Sequence, residues 1–215
     1  MSRRRLSRVT AAAARVFRAF IDVVVAGDVS GVSRRLADDP SLASTASPVG
    51  ASRQSAKSYF FPEIAHYLYA GDTALHMAAA AFRRDVAEVL VAHGADCRAR
   101  NRRGAEPLHY AADANHCDPK AQAETIEFLI AAGADPNALD RSGVAPLHRA
   151  VRTRSLAAVR ALIDGGADPR RPNKSGSTPL FLARHNTGRS GSGSQQARQQ
   201  QAAIITLLQE RGVLH

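Results

Sequence analysis

The chain has 215 residues, 45% of them apolar, and 29 lysines and arginines against 19 aspartates and glutamates, a net charge of +10 at pH 7. That length can bury a substantial core, while no run reaches the roughly 20 apolar residues of a membrane-spanning helix. Two cysteines, Cys97 and Cys117, without regular spacing exclude a disulfide framework and point to reduced thiols in a cytoplasmic protein.

The amino terminus, MSRRRLSRVTAAAARVFRAFIDVVVAG, opens with arginines, but Arg15, Arg18 and Asp22 interrupt the apolar stretch of an export signal. The same residues suit a helix. Phe17, Phe20, Ile21 and Val24 fall at i, i+3, i+4 and i+7, and Arg18 can pair with Asp22. The expectation is a basic, disordered tail over residues 1–14 that leads into an amphipathic helix.

Residues 43–70 read as an insertion. ASTASPVGASRQSAKS predicts a flexible loop. YFFPEIAHYLYAG then gathers Tyr59, Phe60, Phe61, Tyr67 and Tyr69, with Pro62 and Glu63 suited to start a short helix and Gly71 to end it. Two readings stand side by side. Either Tyr59, Phe60, Phe61 and Ile64 cover an otherwise exposed face of the core, or the aromatics form a recognition patch.

From residue 71 the chain repeats itself. GDTALHMAA at 71 recurs as GAEPLHYAA at 104, GVAPLHRAV at 143 and GSTPLFLAR at 176, at spacings of 33, 39 and 33 residues. Each copy runs into a second apolar stretch that ends on glycine: VLVAHGAD, FLIAAGAD, ALIDGGAD and LLQERGVL. The period, the T-P-L-H-like opening and the G-A-D ending resemble the ankyrin repeat. That resemblance implies an all-α repeat solenoid, each unit a β-turn finger and two antiparallel helices. Four repeats follow at 71–103, 104–142, 143–175 and 176–215, all within a single domain over 15–215. VVVAGDVSGVSRRLADDPSL makes 15–42 a degenerate amino-terminal cap.

The residue chemistry agrees. Pro107, Pro146 and Pro179 suit the first turn of a helix, where a missing N–H costs nothing. Gly94, Gly133 and Gly166 suit a left-handed helix end. Asp96, Asp135 and Asp168 offer short acceptors to the turn that follows. His76, His109 and His148 share one position, which Phe181 fills in the fourth copy, and the resemblance implies an imidazole that ties neighbouring repeats together. Packed helices would hold successive histidines about 10 Å apart, too far for a shared metal ion. They read as structural.

Two further insertions carry chemistry-bearing residues. ANHCDPKAQ sets His116 beside Cys117, with His93 and Cys97 in the previous repeat, but no paired ligand spacing results and a lengthened interhelical loop is expected. RHNTGRSGSGSQQARQQQ lacks the lysine and preceding strand of a phosphate-binding loop and reads as a flexible connection before a polar last helix. Neither G-x-S-x-G nor H-E-x-x-H occurs, so no catalytic residue, cofactor or metal is predicted.

Function is sought in the charge. Of the cations only Lys57, Lys120 and Lys174 are lysine, an arginine bias that points to a GC-rich bacterial genome. In the repeat family the fingers and first helices line a concave, partner-holding face. By that resemblance the candidate partner-binding residues are Arg100, Arg102, Arg103, Arg141, Arg149, Arg152, Arg170 and Arg171. A monomeric, non-catalytic adaptor that grips an acidic protein segment is one reading. Binding of nucleic acid or polyphosphate through the same face is the alternative, and a merely solvated arginine surface is the third.

Overall fold

The computed structural model describes residues 3–113, 118–185 and 194–211, with side chains from residue 13 onward. Ten α-helices run in pairs among them: α1 (Arg3–Ala26) with α2 (Val29–Asp38), α3 (Ala74–Ala80) with α4 (Arg84–Ala92), α5 (Pro107–Ala111) with α6 (Pro119–Ala131), α7 (Pro146–Arg152) with α8 (Leu156–Asp164), and α9 (Pro179–His185) with α10 (Gln195–Glu210). The pairs stack in order. Helices α1, α3, α5, α7 and α9 form an inner layer and α2, α4, α6, α8 and α10 an outer one, each touching its counterpart in the next pair. One continuous core runs along the seam, with Leu75, Leu108 and Leu147 almost wholly buried and Leu180 close behind. Buried Ala78, Ala111, Ala150 and Ala183 keep the inner helices close. The helical hairpin solenoid is as expected.

Helix α1 begins at Arg3, so it runs through the segment 3–14 and on into the amphipathic stretch. Ala11 to Ala14 carry the highest helix propensity of any residue and no capping signal interrupts the run. Phe17, Phe20, Ile21 and Val24 are buried as the pattern requires, and Arg18 Nε bonds Asp22 at 3.1 Å.

The insertion at 43–70 differs from expectation. Its Ser-rich part is pinned: Ser47 N–H donates to Asp72 O at 2.7 Å, Gly71 N–H to Ser47 O at 2.8 Å, and Ala51 N–H to Leu68 O at 2.8 Å. In place of a short α-helix, Phe60–Phe61 (β1) and His66–Tyr67 (β2) pair antiparallel around a single 3-10 turn, Pro62–Ile64. Phe61 and Ile64 are each only 2% exposed, and Arg18 reaches over from α1 to cap the Phe61 ring at 3.9 Å and to donate to Ser58 O at 2.8 Å. The hairpin therefore seals the seam between the first and second helix pairs.

Interhelical connections are built in two ways. In the short turns the backbone serves the seam alanine of the inner helix: Arg83 N–H donates to Ala78 O at 3.0 Å and Ser155 N–H to Ala150 O at 3.1 Å. In the two units with long insertions a glutamine of the outer helix replaces it. Gln122 Nε2 donates to Ala111 O at 2.8 Å and Gln201 Nε2 to Ala183 O at 2.7 Å. A buried carbonyl without a partner is costly, and both solutions supply one. The inserted residues 114–117 and 186–193, with the His116–Cys117 pair and most of the Gly-rich stretch, lie outside the described residues.

Candidate partner-binding surface

Each finger is set by one aspartate and one Asx residue. Asp96, Asp135 and Asp168 accept the N–H two residues on, from Arg98, Asn137 and Arg170, at 2.8, 2.8 and 2.9 Å. At the tip, Asn101, Asp140 and Asn173 use one side-chain oxygen to accept two N–H groups, those of Arg103 and Ala105, Ser142 and Val144, and Ser175 and Ser177. Successive tips touch directly. Arg102 N–H donates to Ala70 O at 3.1 Å, Arg141 N–H to Arg103 O at 2.9 Å, and the Lys174 ammonium to Arg141 O.

Behind the fingers the three histidines close the stack. Backbone N–H groups of Thr73, Glu106 and Ala145 point at the Nδ1 atoms of His76, His109 and His148 at 3.1, 3.1 and 3.2 Å. Because those nitrogens must accept, the proton sits on Nε2, which donates to Ala105, Val144 and Ser177 O of the following unit at 3.1, 3.0 and 3.2 Å. The rings are neutral pegs between repeats. Burial lowers the pKa of all three, and with the Arg149 charge nearby it brings His109 down to about 3.

The eight candidate arginines separate on this frame. Arg149 leaves the surface. Its side chain is 13% exposed and bridges Asp113 at 2.9 Å and Asp140 at 3.1 Å. Burial opposes its charge, but the two carboxylates more than restore it. On Asp140 burial is likewise outweighed, by the Val144 N–H and Arg149, which hold its carboxyl below the usual range. This triad stitches α5 to the next finger and α7 as a buried tie. Two more arginines are exposed but occupied. Arg100 donates to Leu139 O and lies 3.4 Å from Glu106 Oε1, and Arg103 covers the Tyr69 ring at 4.1 Å. Arg152 is exposed and has a partner, and Arg170 lies 3.9 Å from Asp168. Arg171 is half-buried. Arg102 and Arg141 are exposed, and neither guanidinium has a hydrogen-bond or ion-pair partner among the described residues.

The sequence reading missed two features of this face. Tyr69, Arg102, Arg141 and Lys174 share one register, each two residues before its finger glycine, so they form a single row across four tips. The hairpin extends that row: Tyr67 lies 6.2 Å from Tyr69 and Phe60 4.8 Å from Tyr67. The second feature is buried. Asp72 accepts from Tyr69 N–H at 2.6 Å, Asn101 Nδ2 at 2.8 Å and Tyr110 OH at 2.8 Å. Burial and the Asp72 charge drive the Tyr110 phenol well above its usual value, so it stays a donor. Tyr110 and Arg149 follow the peg histidines at equivalent positions, and alignment of the copies would have marked both as departures from Met77 and Leu182.

On the opposite side, a cleft of about 840 Å³ lies between the starts of α6, α8 and α10. Its lining mixes Asp118, Glu127 and Asp164 with Lys120 and Arg160, and it includes none of the finger cations. Among the described residues no cluster of three or more potential metal ligands occurs, and no helix is long and apolar enough to cross a membrane.

A family model described as ankyrin repeats, three copies, matches residues 54–119 and 119–192. No curated protein matches the chain.

Proposed function

The chain belongs to the ankyrin repeat family, whose members are in general protein–protein interaction modules, and on that premise we propose that it is a non-catalytic adaptor whose finger face holds an acidic protein segment. One observation carries the reading: Arg102 and Arg141 stand exposed at adjacent tips with no hydrogen-bond or ion-pair partner for either guanidinium among the described residues, while the repeated imidazoles of His76, His109 and His148 are taken up by the stack. Guanidinium groups left to water suit bidentate capture of carboxylates and electrostatic steering of an acidic partner. We place the protein in the cytoplasm as a monomer, in keeping with the buried free thiol of Cys97, which burial makes less acidic and less reactive.

The test is binding of poly-L-glutamate, followed by fluorescence anisotropy with the whole chain. Reversal of both free cations, Arg102→Glu with Arg141→Glu, is expected to abolish it, with the thermal midpoint shifted by no more than about 2 °C because exposed charges add little to stability. Equal binding by the reversed chain would remove the finger face from consideration. A second reading has one observation behind it: Tyr69, Tyr67 and Phe60 form a row of rings with Arg103 over Tyr69, as on a platform for single-stranded nucleic acid. Single-stranded DNA that outcompetes poly-glutamate would favour it.

A further inference from the structure

We infer that the row of finger tips reads an acidic segment in the polyproline II conformation, with one carboxylate every third residue. This rests on the acidic-partner reading above and gives it a register.

Arg102, Arg141 and Lys174 are exposed and equivalent, one per repeat. Their fingers are locked edge to edge by the backbone bonds Arg102 N–H to Ala70 O and Arg141 N–H to Arg103 O, and by the Lys174 ammonium on Arg141 O. The backbone positions that carry these cations therefore recur at the stacking distance of the inner helices, about 8–10 Å. A ligand that meets all three must present carboxylates on one face at that step. A polyproline II helix does so, since three residues at 3.1 Å rise return a side chain to the same face after about 9.3 Å. A β-strand returns to the same face after two residues, about 6.7 Å, and falls out of step by the second tip. An α-helix spans the distance only with one carboxylate per seven residues, at about 10.5 Å.

The first position of the row supports this choice. Tyr69 takes the place of the cation there, with one ring face under Arg103 and with Tyr67 and Phe60 beyond it. All three rings are half-buried, so each keeps an exposed part. Half-exposed aromatics of this kind accept the flat, rigid face of proline, the residue that favours the extended left-handed helix. The row thus offers three carboxylate contacts followed by an apolar landing for proline.

Four labelled peptides test the register by anisotropy against the whole chain: four repeats of Pro-Pro-Glu, the same composition with the glutamates contiguous, four repeats of Gly-Gly-Glu, and a helical peptide with glutamate every seventh residue. The Pro-Pro-Glu peptide is expected to bind about tenfold tighter than the contiguous one and tighter than the glycine version. Arg102→Gln, Arg141→Gln and Lys174→Gln should each weaken it about two- to fivefold, as single exposed charge contacts do. Tyr69→Ala should weaken it too, while Arg160→Gln on the outer helix should not. Contiguous or heptad-spaced glutamates that bind as well as Pro-Pro-Glu would overturn the register, and so would an equal loss on Arg160→Gln. If all the acidic peptides bind alike and still depend on Arg102 and Arg141, the acidic-partner reading survives without the register. If none binds, both fall.

Discussion

Two rows of equivalent side chains cross this molecule, and they are used in opposite ways. The inner row is His76, His109, His148 and Phe181; the first three are at most 2% exposed and joined to the following unit, whereas Phe181 is 50% exposed and stacks on His185 at 4.3 Å. The outer row is Tyr69, Arg102, Arg141 and Lys174, at the tips. Repetition builds both. What differs is what the side chains are spent on: the inner histidines are used up in joining one unit to the next, whereas in the outer row the Arg102 and Arg141 guanidinium groups have no hydrogen-bond or ion-pair partner among the described residues.

Acid should break the inner row with the largest effect. Below pH 6.5 the unfolded chain protonates its histidines, while the folded chain keeps His76, His109 and His148 neutral, His109 down to about 3. For a base, a lowered folded pKa gives stability that is fully present above pH 6.5 and is lost as pH falls from 6.5 toward the folded pKa. Each peg contributes up to about 1.4 kcal/mol per pH unit within the window. Urea midpoints should hold steady from pH 8 to 7 and then drop steeply, with more than one proton taken up on unfolding. A flat profile to pH 5 would contradict neutral pegs.

Next comes His109→Phe, which copies the fourth repeat into the second. It keeps an aromatic ring, though a larger one, and leaves the Glu106 N–H and Val144 carbonyl unpaired, at about 1–3 kcal/mol in a urea melt. It should also lessen the acid sensitivity. A smaller contrast lies between two finger glycines, Gly143 (φ +70°) and Gly176 (φ +77°). A Cβ on Gly143 would lie 2.8 Å from the Lys174 backbone nitrogen, whereas one on Gly176 meets nothing within 4 Å. Gly143→Ala should therefore cost more than Gly176→Ala, whose penalty is the left-handed strain alone, about 1 kcal/mol. The smallest effect is expected from Arg102→Gln in the outer row, under about 0.5 kcal/mol by calorimetry, because its guanidinium holds nothing in the fold.

Burial also explains what the sequence could tell. Positions that the copies repeat were legible, since the pegs and the finger aspartates recur in three of the four copies and the alanine seam in all four, at fixed offsets and with one physical use each. Positions that vary were not. Arg149 reads like any groove arginine until Asp113 and Asp140 are seen to close on it, and no spacing rule links residues 36 apart. The β1–β2 hairpin was hidden because two-residue strands leave no alternating pattern, and the helix that Pro62 and Glu63 do start is a single 3-10 turn. Arg100 and Arg103 looked available for the same reason as Arg149: their partners, Leu139 and Tyr69, belong to neighbouring units.

The glutamine that stands in for a turn has a practical side. Gln122 and Gln201 make the inner-helix ends indifferent to how the chain travels to the outer helix, because the missing donor comes from the far bank rather than from the bridge. Two of the five helix pairs are thus natural ports for added sequence, where a tag or an extra recognition loop can be spliced in with the scaffold undisturbed.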